Sequence, residues 1–300
     1  MIPVRELYAD LPFETGKYAN SLDEIRFVLA WIAHRQRPAS ESAQRMKRTW
    51  PILLLLFASL TAVAQYGWNR EGELSTDMNS HAEFAFTRII FKSGYSTLPG
   101  PGNTSWRDWP EADAHFIRGV QRLTSVNIED SSRAILLTDE QLFDRPWIYA
   151  LEVGTWLLTR AEADNLRDYL LRGGFLVVDD FHGRVQWEGF MRSMRKVFPD
   201  RPIVEVGADE NIMSMHFDVD MTKPIPGIMA LRYGVTFEHD GYLPTRRGIY
   251  DDDGRLMVII NFNVDLGDAW EMADDPRYPE KYTALAYRFG INYVLYAMTH

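Results

Sequence analysis

The chain has 300 residues, 46% hydrophobic and 13% aromatic, which is ample for a buried core in one large domain or two small ones and excludes disorder as the default. It has no cysteine, so disulfides, thiolate zinc sites and cysteine nucleophiles are all excluded. A formal charge of -10 argues against a nucleic-acid partner, because holding a phosphate backbone requires clustered Lys and Arg.

Residues 1–45 read as an N-terminal extension in which Ile25, Val28, Leu29 and Ile32 have helical spacing. A secretory pattern follows at 46–64: basic Lys47 and Arg48, an apolar run from Ile52, and small residues Ala62-Val63-Ala64 where a signal peptidase cuts. The apolar run is shorter than the roughly twenty residues that span a bilayer, which favours cleavage after Ala64 over an uncleaved anchor at residues 50–64. Because such signals open a chain, Met46 is read as the true start and residues 1–45 as a mis-called one; the alternative is a cytoplasmic extension ahead of a signal anchor. The expected address is periplasmic or extracellular, or anchored to the inner membrane if the segment is retained. Past Ala64, 36 acidic residues face 24 basic ones, which argues against adhesion to anionic lipid.

Residues 65–81 read as a tether and 82–300 as a single α/β domain. Ala82 to Phe91 alternates like a strand, Ser93 to Trp109 is a Gly- and Pro-rich loop, and a helix is expected from Pro110 or Glu111 through Leu123. Arg133 to Leu137 is a short strand, Thr138 and Gln141 cap a brief helical turn, and Trp147 to Val153 is an apolar strand. Thr159 and Glu162 stand at capping-box spacing ahead of a stripe of Ala163, Leu166, Tyr169 and Leu170, and Gly173-Gly174 stops that helix. Phe175 to Val178 is wholly apolar, as suits a strand covered on both faces, and Asp179-Asp180-Phe181-His182-Gly183 follows it. Trp187 to Phe198 is a basic amphipathic helix and Ile203 to Val206 a short edge strand. Residues 207–248 read as a loop-rich insertion. Ile249-Tyr250, the turn at Asp252-Asp253-Gly254 and Arg255 to Phe262 form a hairpin, and Pro279 to Met298 is the last helix. Strand, helix, strand, helix, strand in succession predicts right-handed crossovers and a parallel sheet.

Five separated stretches then resemble, in order, a bacterial family of unknown function in the class I glutamine amidotransferase-like, flavodoxin-like superfamily. They are Trp109-Pro110-Glu111-Ala112-Asp113-Ala114-His115-Phe116, the helix to Gly173-Gly174, Asp179-Asp180-Phe181-His182-Gly183, Asp265-Leu266-Gly267-Asp268-Ala269-Trp270-Glu271, and Ala286-Tyr287-Arg288-Phe289-Gly290-Ile291-Asn292. The resemblance covers about Phe84 to His300. It implies a flavodoxin-like, mostly parallel sheet with helices on both faces, and a role at the cell envelope. It implies Gly-His where this chain has Glu152-Val153-Gly154, and amidotransferases of the superfamily use an elbow cysteine that this chain lacks, so glutaminase chemistry is excluded.

Ligand groups in open α/β sheets sit beyond the carboxyl ends of the strands, where Asp179, Asp180 and His182 fall after one strand and Asp265, Asp268 and Glu271 after another. If those two strands are parallel, the clusters share one rim. The functional reading is an acidic pocket holding a divalent cation through Asp179, Asp180 and Asp265, or sugar hydroxyls beside Trp270 and Trp187. The competing reading is that these carboxylates cap helices and brace loops. Asp113 and His115 serve either the same rim or their own helix terminus; His216, Asp218 and Asp220 read as a solvated edge, and Asp251 to Asp253 as a turn. The function expected is a non-catalytic ligand-binding module of the cell envelope. Its rivals are a metal-assisted hydrolase of carbohydrate or peptide with His182 as general base, and a scaffold whose partner is another envelope protein.

Overall fold

Strands buried on both sides need cover on both faces, and seven-residue Phe175–Phe181 shows the pattern: every residue but Asp180 is buried. In the computed structural model, residues 82–94 and 104–300 are described; the expected extension, signal segment and tether, and the middle of the first loop, lie outside them. The chain runs β1 (Thr87–Ile90), α1 (Glu111–Leu123), β2 (Arg133–Leu136), β3 (Trp147–Leu151), α2 (Arg160–Leu171), β4 (Phe175–Phe181) and α3 (Gly183–Val197). It continues through β5 (Val204–Glu205), α4 (Ile228–Arg232), β6 (Thr245–Tyr250), β7 (Leu256–Phe262), α5 (Leu266–Glu271) and α6 (Glu280–Thr299).

The seven strands form one sheet in the order β2-β1-β3-β4-β7-β6-β5. The pairs from β2 to β7 are parallel, while β6 and β5 are antiparallel additions at the far edge. Alternate side chains of each strand go to opposite faces. Trp147, Tyr149, Phe175 and Val177 enter a core with Phe116 of α1, Trp270 of α5 and Phe289 of α6. Ile148, Ala150, Leu176 and Val178 enter the other, with Leu166 of α2 and Phe190 of α3. Helices therefore cover both faces. Gly290 lets α6 approach this closely, since a methyl group there would strike the Phe116 ring and stand 2.8 Å from Trp270.

Local signals set the element ends. The Thr159 hydroxyl accepts the Glu162 amide at 3.2 Å and the Glu162 carboxylate accepts the Thr159 amide at 2.6 Å, a complete capping box. Gly173, with φ 114°, closes α2 in a conformation a side chain would oppose. In the β6–β7 hairpin, the Asp251 carboxylate accepts the amides of Asp253 and Arg255 at 3.1 and 2.8 Å, so the acidic run there is a turn.

The stretch 207–248 differs from the sequence reading. β6 begins at Thr245, inside the stretch read as loop, and that stretch also holds α4. Its residues Ile212, Met213 and Ile225 are buried in the core, so it is packed structure rather than a free excursion. His216, Asp218 and Asp220 are exposed and alternate with half-buried Met215, Phe217 and Val219, as on a strand, but without a paired neighbour. Among the described residues no helix is long and apolar enough to cross a membrane.

Candidate metal centre

Because β4 and β7 are parallel neighbours, the segments leaving them share one rim of the sheet. Between Val178 and Phe181, β4 carries one residue more than β7, and this bulge falls at Asp179-Asp180. Bulges re-aim side chains. Asp180 takes φ 49°, and its amide bonds the Val264 carbonyl at 3.1 Å.

The two aspartates have different jobs. Asp179 is fully buried, and its Oδ2 accepts the Tyr149 hydroxyl at 2.8 Å and the amides of Leu266 and Gly267 at 2.8 and 3.2 Å. That oxygen braces α5 against β4, as the competing reading held, while Oδ1 has no hydrogen-bond partner. Burial raises the Asp179 carboxyl to about 7, against the pull of its three donors.

Asp180, His182 and Asp265 converge: each offers a ligand atom within 4.8 Å of the others. The His182 ring is 3% exposed, with Nε2 at 3.2 Å from the Asp180 carboxylate and Nδ1 without a partner. Asp265 caps α5, its Oδ1 accepting the Asp268 amide at 2.7 Å. Beside them stands a second triad, Asp108, Asp268 and Glu271, with the same spacing limit. Asp268 accepts the Ile228 amide at 2.6 Å, which ties α4 to α5. Asp180, Asp268 and Glu271 are partly exposed, so the centre opens to solvent on one side.

The electrostatics are lopsided. Burial first, and then the charges of neighbouring carboxylates, hold Asp108, Asp180 and Asp265 well above the usual carboxylate range. Burial also lowers His182, so its ring is neutral at pH 7 and adds no positive charge. Among the described residues two guanidinium groups lie nearby: Arg107 pairs with Glu152 at 3.3 Å and also acts on Asp180 and Asp108, and Arg88 pairs with Asp113 and also acts on Asp108. Gly227 sits where Glu238 Oε1, Asp265 Oδ2 and Asp268 Oδ2 crowd to 2.5, 2.7 and 3.2 Å from the position a Cβ would take. Such crowding of acids is relieved either by shared protons or by a cation of hard-oxygen preference.

Backbone strain gathers at the same rim. Among the described residues, the non-glycine positions with positive φ are Asp108, Glu152, Asp180, His239 and Asn263. Asp108 follows β1, Glu152 follows β3, Asp180 and Asn263 mark the ends of β4 and β7, and Asn263 Oδ1 accepts the Gly183 amide at 2.9 Å. Left-handed conformations cost a non-glycine residue about 1–3 kcal/mol, and they cluster where function requires them.

Of the predicted site residues, the structure brings Asp180, His182 and Asp265 together, and Asp268 and Glu271 beside them. Trp270 is fully buried, 4.3 Å in ring-centroid distance from Phe116, and offers no surface for a sugar. Trp187 lies on the other face of the sheet, stacked on Phe181 under Arg247. Asp113 pairs with Arg88, and His115 Nδ1 meets the Trp270 and Glu271 carbonyls, so neither serves the rim. Sequence reasoning missed Asp108, Glu152 and Glu238 as site residues, each an acid in a loop. Arg88, which donates to the Ser105 and Arg107 carbonyls at 3.2 and 3.0 Å and so fixes the loop before Asp108, was hidden in the alternation of β1.

Residues 94–298 match the family described as Domain of unknown function (DUF4159), and the chain belongs to that family. No curated protein matches the chain.

Proposed function

We propose that this member of a family of unknown function is a cell-envelope domain that binds a divalent cation through Asp180, His182 and Asp265 and uses it to hold a polar ligand. The observation that carries the reading is the meeting of those three ligand atoms within 4.8 Å, supplied by the exits of two adjacent parallel strands. Two carboxylates and an imidazole suit Mn²⁺ or Zn²⁺, and Ca²⁺ or Mg²⁺ when water completes the shell. The parallel strand order β2-β1-β3-β4-β7 supports a flavodoxin-like reading, in which ligands gather at this rim. The secretory pattern at residues 46–64 supports export. The test is thermal denaturation of the chelator-treated chain with each divalent ion. A cation-binding centre raises the midpoint in a concentration-dependent manner for the wild type and not for Asp180→Asn; equal response of both contradicts it.

A second reading, metal-assisted hydrolysis of a carbohydrate or peptide, is favoured by one observation. His182 Nδ1 lacks a partner, and the ring is held neutral, so it can accept a proton from water. Turnover of such substrates by the cation-loaded chain that is lost in His182→Gln would establish it.

A further inference from the structure

We infer that Asp108, Asp268 and Glu271 hold a second divalent cation next to the first, making the centre binuclear; this rests on the reading of the first site. The three residues come from two parts of the chain, Asp108 from the loop before α1 and Asp268 and Glu271 from α5, and their ligand atoms lie within 4.8 Å of one another. An acidic triad alone is common without an ion. Here, Asp108 is only 9% exposed and its Oδ2 has no hydrogen-bond partner. That oxygen points at Gly267, the residue before Asp268, where any side chain would collide with it. A buried carboxylate oxygen left without a hydrogen-bond partner inside an acidic triad is the kind of group a cation would satisfy, and the Arg88 guanidinium beside it is bonded to Asp113.

The ligand set fixes the kind of ion. Three carboxylates with no nitrogen or sulfur suit a hard cation such as Mg²⁺, Mn²⁺ or Ca²⁺ over Zn²⁺ or Cu²⁺. The two triads meet at the first turn of α5, where Asp265 Oδ2 and Asp268 Oδ2 both border Gly227. Asp268 belongs to the triad with Asp108 and Glu271 while its Oδ2 shares the Gly227 gap with Asp265, so one ion's ligand lies against the other ion's shell.

Mn²⁺ binding to the chelator-treated full-length chain, followed by equilibrium dialysis with metal analysis and by electron paramagnetic resonance, tests this. Two Mn²⁺ per chain with a spin-coupled signal are expected. Asp108→Asn and, separately, the partly exposed Glu271→Gln then bind one Mn²⁺ with an uncoupled signal and an unchanged circular dichroism spectrum. One Mn²⁺ in the wild type, unaffected by Asp108→Asn, overturns the second site and leaves the first standing. Two ions in both wild type and Asp108→Asn also overturn it, by placing the second ion elsewhere. No Mn²⁺ in the wild type removes the first site and this one with it.

Discussion

The Asp179 carboxylate accepts the Leu266 amide at 2.8 Å across 87 residues of sequence, and with that bond the end of β4 is fastened to the start of α5. The same oxygen takes the Gly267 amide and the Tyr149 hydroxyl. Asp179 is thus the strut on which the neighbouring ligands stand, and its role separates from theirs by experiment. Asp179→Ala strands three buried donors and is expected to cost about 3–5 kcal/mol in urea denaturation. Asp179→Asn keeps an accepting oxygen, costs about 1–2 kcal/mol, and retains cation binding within a few-fold. Loss of binding in Asp179→Asn at unchanged stability would make it a ligand instead.

The cation-free protein should lose stability as pH rises. Asp179 titrates near 3.8 unfolded and near 7 folded, so between those values the folded state holds a proton that the unfolded state has released. Stability is then full below about pH 4, falls through the window, and levels off above pH 7. Asp108, Glu152, Asp180 and Asp265 shift in the same direction and deepen the fall. His182, lowered, acts oppositely below its unfolded value of 6.5, one group against five at this rim. Thermal midpoints of chelator-treated protein from pH 4 to 8 check this, and added Mn²⁺ is expected to raise the midpoint most at the alkaline end. A chelated protein that grows more stable from pH 5 to 8 would contradict the charge assignment.

Gly227 offers a steric probe. Its φ of -63° accepts alanine without backbone strain, but the methyl group would enter the gap among Glu238, Asp265 and Asp268. Those carboxylates are ends of side chains and can yield, so Gly227→Ala is expected to change stability by less than about 1 kcal/mol and to weaken cation binding about tenfold. Calorimetric titration beside a denaturation curve reads both.

Arg88 and Asp113 form a buried ion pair that anchors the loop before Asp108. Arg88→Met leaves Asp113 charged and buried, an expected loss of about 3–5 kcal/mol, whereas Arg88→Met combined with Asp113→Leu recovers most of it. Because the single variant also frees the Ser105 and Arg107 carbonyls, the double variant is expected to regain stability and still bind the cation more weakly.

Much of the fold was readable because its signals are local. The Thr159–Glu162 box, the Gly173-Gly174 stop, the wholly apolar run of β4 and the Asp252-Asp253-Gly254 turn each fix an element from within a few residues. The meeting of Asp180 with Asp265 followed from one topological condition, parallel pairing of β4 and β7, which holds. What escaped depends on distant contacts. β6 reads Thr-Arg-Arg-Gly at its start, and only the structure shows Arg246 buried, donating to the Met221 carbonyl at 2.6 Å over the Phe289 ring. α5 spans six residues, too few to show periodicity, and its capping aspartate was read both as a ligand and, in the competing reading, as a helix cap. Asp108, Glu152 and Glu238 carry no pattern, since a loop acid is ordinary until the fold places it against others.

The most direct measurement is the anomalous difference density of a crystal of the full-length chain grown with Mn²⁺. A peak about 2.0–2.4 Å from the Asp180 and Asp265 carboxylates and the His182 imidazole is predicted. Density showing those groups bonded to one another or to water, with manganese absent from the rim at saturating concentration, would contradict the cation-binding account.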